Sequence, residues 1–415
     1  MFAAARLRSA LLALLLAACS SDDAGGGKAA SGDAGAGGGG DAGGGGAGAA
    51  CAELLPECLV KQQVCGVSAG EPRCEPCPPG QFADREAGAC AALPGEAWSH
   101  DFADFTVGAA EEVLGLCQSW TVGNETELWV NAVELEQDAQ SHHSNWLFVP
   151  ANEFDGPDGV WPCRDRGYSQ LQAALKGGVI YAQSTQAVRE VQKFPPGAAV
   201  RLPPRSRIIG DVHLLNTTDE AVTGHARLTL HAIPGDDVSV KLAPFHLTYD
   251  TLAIPPKQRS RFVGECDIDK PSRDTLGRAF DAKLYFLLPH THALGDRFFL
   301  EVFGGPDDGK SLFDVYGFDG EARGQYYEPA VDLAGATGFR FGCEFENPRD
   351  ETIGWGFGDQ EMCETLGFIA SDIAFESRVS EVNEAPSADS VPTFTGACST
   401  LAFPYSQEQP GGPPP

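Results

Sequence analysis

Metal chemistry is the chemistry that this sequence could best support, and it depends on histidine and methionine. The 415-residue chain contains nine histidines and two methionines. His290 and His292 follow the apolar run Leu284–Leu288, which has the pattern of a β-strand. Residues i and i+2 of a strand project from the same face, so both imidazoles could bind one metal ion. The alternative is that this His-x-His pair is a coincidence on a surface or in a core.

Two further features add to the metal hypothesis. His142 and His143 are adjacent, and neighbouring strand residues face opposite sides of a sheet. Shared coordination by this pair therefore needs a bend or a strand end. The two methionines are Met1 and Met362, and Met362 stands directly before Cys363. A thioether is a soft ligand that favours Cu(I), although a buried methionine can also simply fill a gap in a core.

Four segments occur in an order that resembles the copper type II, ascorbate-dependent monooxygenase family. That family includes peptidylglycine α-hydroxylating monooxygenase and dopamine β-monooxygenase. The resemblance covers roughly residues 95–402 and rests on the order of the segments, their spacing and the Glu-Met-Cys ending. The segments are His142-His143, Val212-His213, His290-Thr291-His292 and Gly356–Cys363 (GFGDQEMC).

The resemblance implies two copper ions per chain, held in two β-sandwich domains on either side of a solvent-filled cleft. It implies hydroxylation of a C–H bond of a small organic substrate, with dioxygen and with ascorbate or a similar one-electron reductant as co-substrate. The implied electron-transfer copper is bound by His142, His143 and His213. The implied catalytic copper is bound by His290, His292 and Met362.

The sequence departs from the peptide-amidating members of that family at the positions that bind substrate. Those members have an arginine two residues before the His-x-His pair, where this chain has Leu288. Their asparagine and tyrosine after the methionine correspond to Glu364 and Leu366. Recognition of a peptidylglycine carboxylate is therefore not expected. Glu364 could instead attract an amine, or it could be a solvated surface acid.

Composition and missing motifs exclude several other classes of protein. The 58 acidic residues outnumber the 29 lysines and arginines and give a net charge of -29, which argues against nucleic-acid binding. The sequence has no Gly-x-Ser-x-Gly motif, phosphate loop or dinucleotide-binding fingerprint. Two alternatives stay open, a copper-binding protein without turnover and an adhesion or carbohydrate-binding lipoprotein. We expect a monomer.

The elements that must position these residues are β-strands. From about residue 95, short alternating apolar segments lie between Pro, Gly, Asn and Asp, a pattern typical of antiparallel β-sandwiches. The predicted strands are Glu127–Leu135, Ile208–Leu215, Ala226–Ala232, Ala282–Leu288 and Arg297–Phe303, with one brief helix at Ser169–Lys176. About 310 residues are too many for one sandwich. We therefore predict an all-β protein with two jelly-roll-like sandwiches, residues 95–234 and 235–402, and a disordered tail, 403–415.

Cysteines divide the remaining chain. Six of the thirteen lie in residues 51–94, a density typical of a small disulfide-stapled module. Its six cysteines allow fifteen connectivities, and the Cys74-x-x-Cys77 spacing leaves zinc binding as an alternative. For the sandwiches, the family resemblance implies the disulfides Cys117–Cys163, Cys266–Cys398 and Cys343–Cys363.

The first fifty residues have the pattern of an export signal and a tether. Arg6 and Arg8 precede an apolar run, Leu11–Ala18, which is too short to span a bilayer. The run ends at Cys19 and resembles a bacterial lipoprotein signal, with residues 1–18 removed and Cys19 lipidated. Residues 19–50 are rich in Gly and Ala and predict a flexible tether. We expect an outer-membrane location, on the periplasmic or cell-surface face, with lipid as the only membrane attachment. The alternative is an ordinary signal peptide with an incidental cysteine.

Overall fold

The computed structural model describes residues 45–183, 187–317, 324–356, 358–386 and 389–405. The predicted signal segment, Cys19 and residues 406–415 of the predicted tail lie outside these ranges. The tether prediction is wrong at its end, because the first helix, α1, spans Gly45–Val60. Within the described ranges, no helix is both long and apolar enough to cross a membrane.

The cysteine-rich module consists of α1 and two hairpins. Its strands are β1 Gln63–Ser68, β2 Glu71–Pro76, β3 Gln81–Asp84 and β4 Ala89–Ala92. Strand β1 pairs with β2, and β3 pairs with β4, each antiparallel. The disulfides are Cys51–Cys65, Cys58–Cys74 and Cys77–Cys90. Cys74 and Cys77 are thus both oxidised, with different partners, and do not form a zinc site.

The N-terminal sandwich contains two main sheets, of order β10-β7-β14-β9-β11 and β17-β13-β8-β16-β5. Helix α2 spans Gln170–Lys176, as predicted, and the Ser169 hydroxyl caps it by accepting a hydrogen bond from the Gln172 backbone N–H. The strands are β5 Glu96–Asp101, β6 Phe105–Val107, β7 Glu112–Thr121, β8 Leu128–Gln137, β9 Ser141–Pro150, β10 Gly159–Pro162, β11 Gly178–Gln183, β12 Arg189–Lys193, β13 Ala198–Leu202, β14 Ser206–Leu215, β15 Val222–Gly224, β16 Ala226–Ile233 and β17 Val240–Lys241.

The predicted domain boundary near residue 234 lies too early. Strand β17 pairs in parallel with β13, with Val240 opposite Ala198. The N-terminal sheet therefore continues to Lys241.

The module packs on the outer face of β8, which explains why this strand is buried on both faces. Val133 lies in the sandwich core, whereas Ala132 contacts the module. The buried Glu134 carboxylate accepts a hydrogen bond from the Gly80 backbone N–H at 3.0 Å and one from the Arg189 guanidinium at 2.7 Å. The module is therefore docked on the sandwich through a buried charged pair.

The C-terminal sandwich forms its two layers from one ten-stranded sheet, of order β23-β22-β25-β20-β29-β28-β18-β27-β21-β24. The helix described in this sandwich, α3, spans Asp269–Leu276. The strands are β18 Ala243–Thr248, β19 Ala253–Ile254, β20 Gln258–Asp267, β21 Lys283–Thr291, β22 Gly295–Phe303, β23 Ser311–Tyr316, β24 Gln325–Asp332, β25 Gly338–Asn347, β26 Ile353–Gly354, β27 Cys363–Ala370, β28 Ile373–Ala385 and β29 Thr393–Pro404.

This sheet folds over on itself around a phenylalanine-rich core. Phe245 of β18 stacks on Phe339 of β25 with ring centroids 5.2 Å apart, although three strands separate β18 from β25 in the sheet. The disulfide between Cys343 of β25 and Cys363 of β27 crosses the same core. The all-β prediction with two sandwiches and a disulfide-rich module is confirmed. Strand β29 runs two residues beyond the predicted end at 402.

An apolar joint connects the two sandwiches. Phe286 and Leu288 of β21 and Phe368 of β27 belong to the core cluster of the N-terminal sandwich. The Phe194 ring lies 6.2 Å from the Phe286 ring and 5.1 Å from the Phe368 ring, centroid to centroid. Because side chains alternate along β21, Phe286 and Leu288 share their face with His290, which therefore also points toward the N-terminal sandwich.

Candidate metal centre

A β-bulge brings His142, His143 and His213 together. On the paired strands β9 and β14, His143 lies opposite His213, but Leu214 lies opposite Ser141. His142 is therefore the extra residue of the bulge, where the regular alternation of side chains is broken. The centroids of the three imidazoles lie 4.8 to 5.2 Å from one another. The bulge supplies the bend that shared coordination by adjacent histidines requires.

Glu112, at the start of β7, orients one of these rings. The His213 Nε2–H donates to the Glu112 carboxylate at 2.8 Å. Since a carboxylate can only accept here, the lone pair of a neutral His213 is on Nδ1, which lies 3.0 Å from Nε2 of His143. Two nitrogens that bind one metal at about 2.0–2.1 Å are about 3 Å apart when they are adjacent ligands. This spacing fits a metal site.

The second predicted site lies at the end of β21 and in the turn that follows. The rings of His290 and His292 lie 5.1 Å apart, centroid to centroid. The His292 Nδ1–H donates to the Gln360 carbonyl at 2.8 Å, which places the lone pair on Nε2. Nε2 of His292 is buried and accepts no hydrogen bond within the part of the chain that the structure describes. A buried nitrogen lone pair of this kind suits a metal ion.

Glu361 ties Met362 to the His-x-His turn. The Glu361 side chain is 1% exposed, and its carboxylate accepts hydrogen bonds from the backbone N–H groups of His292 at 2.9 Å and Leu294 at 2.7 Å. Met362 is buried directly beside it, and Cys363 anchors the next position through its disulfide. In the sequence, Glu361 stands out only as part of the Glu-Met-Cys ending, and Glu112 was not predicted. No local pattern signals either contact.

The two predicted sites lie against each other. His143 of the N-terminal sandwich and His290 of the C-terminal sandwich have ring centroids 5.1 Å apart. The potential ligand atoms of His143, His290 and His292 all lie within 4.8 Å of one another, as do those of His142, His143 and His213. The expectation of a solvent-filled cleft between the sites is therefore wrong for this structure, because the apolar joint draws the sandwiches together.

The electrostatics favour neutral imidazoles at His142, His143 and His213. Burial, with repulsion from the neighbouring imidazoles, lowers the pKa of His142 to about 4. The same causes hold the pKa of His143 well below its ordinary value. Burial also lowers the pKa of His213, although the Glu112 carboxylate opposes that shift. A neutral imidazole is the form that binds metal, so these three histidines are suited to bind a cation at neutral pH.

The residues that flank the second site do not form a carboxylate-binding site. Leu288 packs in the apolar joint. Glu364 lies opposite His290 in the register of β27 and β21, and its carboxylate is 3.6 Å from Nε2 of His246. Burial opposes protonation of His246, but Glu364 and Glu376 raise its pKa to about 9. Glu364 is therefore the ion-pair partner of a charged histidine and not a solvated surface acid.

All three disulfides implied for the sandwiches are present in the structure. They are Cys117–Cys163, Cys266–Cys398 and Cys343–Cys363. Cys117 lies on β7, next to the strand that carries His213, and Cys343–Cys363 fixes the residue after Met362. Together with the module, the described chain has six disulfides.

Comparisons with known proteins do not assign the chain to a family. No family model matches the chain, and no curated protein matches it. One similar solved structure is the major capsid protein P2 from bacteriophage PM2, at 8% identity and a TM-score of 0.29, covering 65% of this chain and 97% of that protein. Another is PBCV-1 VP54, fitted into a reconstruction of the virophage Sputnik, at 7% identity and a TM-score of 0.23, covering 68% of this chain and 95% of that protein.

Likenesses with such low TM-scores carry no argument about this chain. Its class is defined by its own strands, disulfides and side chains. It is an all-β protein with a disulfide-rich module and a histidine cluster where its two sandwiches meet.

Proposed function

We propose that this protein is a copper- and dioxygen-dependent monooxygenase that hydroxylates a C–H bond of a small organic substrate with an ascorbate-type reductant. The observation that carries the proposal is the convergence of five of the nine histidines at one joint, in two overlapping groups of three. One of these five imidazoles is buried and four are half-buried. Taking polar rings out of water costs free energy, which hydrogen bonds or ligands must offset.

The donor set fits copper better than zinc. In the proposed assignment, His142, His143 and His213 hold one copper, and His290, His292 and Met362 hold the other. Imidazoles suit both Cu(I) and Cu(II), and a thioether favours Cu(I). Bound copper would supply the one-electron chemistry that hydroxylation of a C–H bond with dioxygen needs.

The chain's own residues would orient these ligands. Glu112 orients the His213 ring, and the Gln360 carbonyl orients the His292 ring. Each accepts a hydrogen bond from the ring N–H that does not face the site. The apolar joint beside His290 limits the access of water from that side. For the substrate, we propose no more than a small organic molecule.

Copper stoichiometry and dioxygen uptake test this function. We expect the purified full-length chain, with its disulfides oxidised, to bind two copper ions and to consume dioxygen with ascorbate in the presence of substrate. His292→Ala and Met362→Ala should each lose one copper at limiting metal. His225→Ala, an exposed histidine paired with Asp101 and Asp104, is the matched control and should keep both. A wild-type chain without tight copper would overturn the proposal.

A copper-binding protein without turnover is the second candidate. The apolar packing of Phe194 on Phe286 and Phe368 favours it, because this packing closes the joint next to His290. Copper bound at two sites without ascorbate-dependent dioxygen uptake, across a panel of amine and peptide substrates, would select this candidate.

We also propose that the protein is exported and anchored by lipid at Cys19. Six disulfides in the described chain fit an oxidising compartment. Labelling of the protein with a fatty-acid analogue in a bacterial host should depend on Cys19 and disappear in Cys19→Ala. Equal labelling of both proteins would contradict the anchor.

A further inference from the structure

His143 belongs to both groups of potential ligands, and only one of these groups joins the two domains. We propose that His143 is an interdomain ligand, which together with His290 and His292 forms a three-histidine copper site that clamps the two sandwiches together. The inference rests on the proposed copper binding, but it does not require turnover.

The ring positions support a site that crosses the joint. The His143 and His290 rings lie 5.1 Å apart. This equals the distance between the rings of His290 and His292, which are two residues apart in sequence. His143 is therefore as close to the C-terminal pair as the members of that pair are to each other. Its ring is also 4.8 Å from that of His213, so it lies between the two groups.

The joint holds these rings in place from two sides. On one side, Phe286 and Leu288 precede His290 on the same face of β21 and pack in the core of the N-terminal sandwich. On the other side, Gly358 of the C-terminal sandwich lies beside Glu112, since a Cβ on Gly358 would be 3.5 Å from its carboxylate. The first contact holds β21 against the N-terminal sandwich, and the second places the segment before Met362 next to β7.

Sharing of one imidazole makes the two predicted copper sites interdependent. A neutral imidazole has one nitrogen lone pair, so His143 serves one metal at a time. When it binds the interdomain metal, His142 and His213 remain as a two-histidine set. The first copper to bind would then hold the domains together, since a ligand that binds only the closed fold stabilises it.

The test isolates the interdomain site by removing the other one. In the double variant His142→Ala/His213→Ala, His143 is the remaining histidine of the N-terminal group. We expect this full-length variant to bind one copper, with three imidazole nitrogens visible in the electron paramagnetic resonance spectrum of Cu(II). Adding His143→Ala should weaken that copper 10- to 100-fold in a competition titration and reduce the count to two nitrogens.

Each outcome decides the proposal. If His143→Ala changes the affinity of the double variant less than twofold, or if the double variant already shows two nitrogens, the clamp is overturned. The nitrogen count requires no further substitution, so it remains decisive even if the triple variant fails to fold. Absence of tight copper from the wild type would contradict the proposed function itself. Two coppers in the wild type, with a double variant whose one copper shows two nitrogens, would contradict only the clamp.

Discussion

The two halves of the histidine cluster are positioned by different means. His143 and His213 lie opposite each other within the paired strands β9 and β14, so backbone hydrogen bonds of the sheet hold them. His290 and His292 lie where β21 ends, and His292 is outside the strand. Side-chain contacts hold this segment, chiefly the hydrogen bonds that the buried Glu361 carboxylate accepts from the backbone of the turn.

This difference shows where each half should be vulnerable. The N-terminal half depends on strand register, which the many contacts of a sheet determine together. The C-terminal half depends on a few specific groups, namely Glu361, the Gln360 carbonyl and the Cys343–Cys363 disulfide. Single substitutions should therefore affect the C-terminal half more strongly than the N-terminal half.

Loss of the Glu361 carboxylate should have the largest effect. Glu361→Ala removes the buried carboxylate that accepts two hydrogen bonds from half-buried backbone N–H groups. We expect it to lower the free energy of unfolding by about 4 kcal/mol. Denaturant unfolding measures this loss, and metal analysis should show one copper fewer. The exposed Glu381→Ala on β28 is the control and should stay within about 0.5 kcal/mol of the wild type. Equal stability of the two variants would contradict the dependence of the C-terminal half on Glu361.

Removal of the Cys343–Cys363 disulfide should separate stability from metal binding. It closes a segment of 20 residues, and the chain-entropy model gives a loss of about 3 kcal/mol for the double alanine variant. The Cys77–Cys90 disulfide of the module, with a separation of 13, should cost a similar amount. Copper analysis should show reduced occupancy at the Met362 site for the first pair alone. Reduced occupancy in both variants would show that the effect is general destabilisation.

The charged His246 should make stability depend on pH in alkaline solution. Its pKa is raised to about 9, so its ion pairs with Glu364 and Glu376 stabilise the fold below about pH 6.5. That contribution is lost as the pH rises through about 9, because the unfolded chain releases the proton first.

Unfolding of the wild type and His246→Gln at several pH values measures this contribution. We expect a difference on the order of 2 kcal/mol at about pH 6 that disappears above about pH 9. The exposed Glu381→Gln on β28 is the control and should stay within about 0.5 kcal/mol of the wild type. If the difference in unfolding free energy between the wild type and His246→Gln stays constant with pH, its cause is packing and not the ion pairs.

Replacement of Glu112 should have the smallest effect, because the sheet already holds His213. We expect Glu112→Gln to leave folding unchanged and to weaken one copper about 10-fold, the effect typical of losing the partner of a ligating histidine. Competition titration measures the affinity, and the neighbouring Glu111→Gln is the control. If Glu112→Gln loses one copper and as much stability as Glu361→Ala, single side chains position both halves of the cluster equally.

Much of the fold could be predicted from the sequence, because alternation, breakers and cysteine density are local signals. The five predicted strands exist, with ends shifted by a few residues, and Ala282–Leu288 became Lys283–Thr291. The bulge at His142 could not be predicted, since it arises from the pairing of β9 with β14, two strands about seventy residues apart.

The residue types that could bind copper were determined by the sequence alone, as were their order and the all-β class. Their arrangement was decided by the tertiary structure. Contact between His143 and His290 depends on the apolar joint around Phe194, and the contacts of Glu112 and Glu361 depend on strand pairing and turns. The reason is that sequence patterns are local, whereas these contacts join residues far apart in the chain. A pattern along the chain reports which face of a strand is apolar, whereas the distance between two sandwiches is set by the packing of side chains that are far apart in sequence.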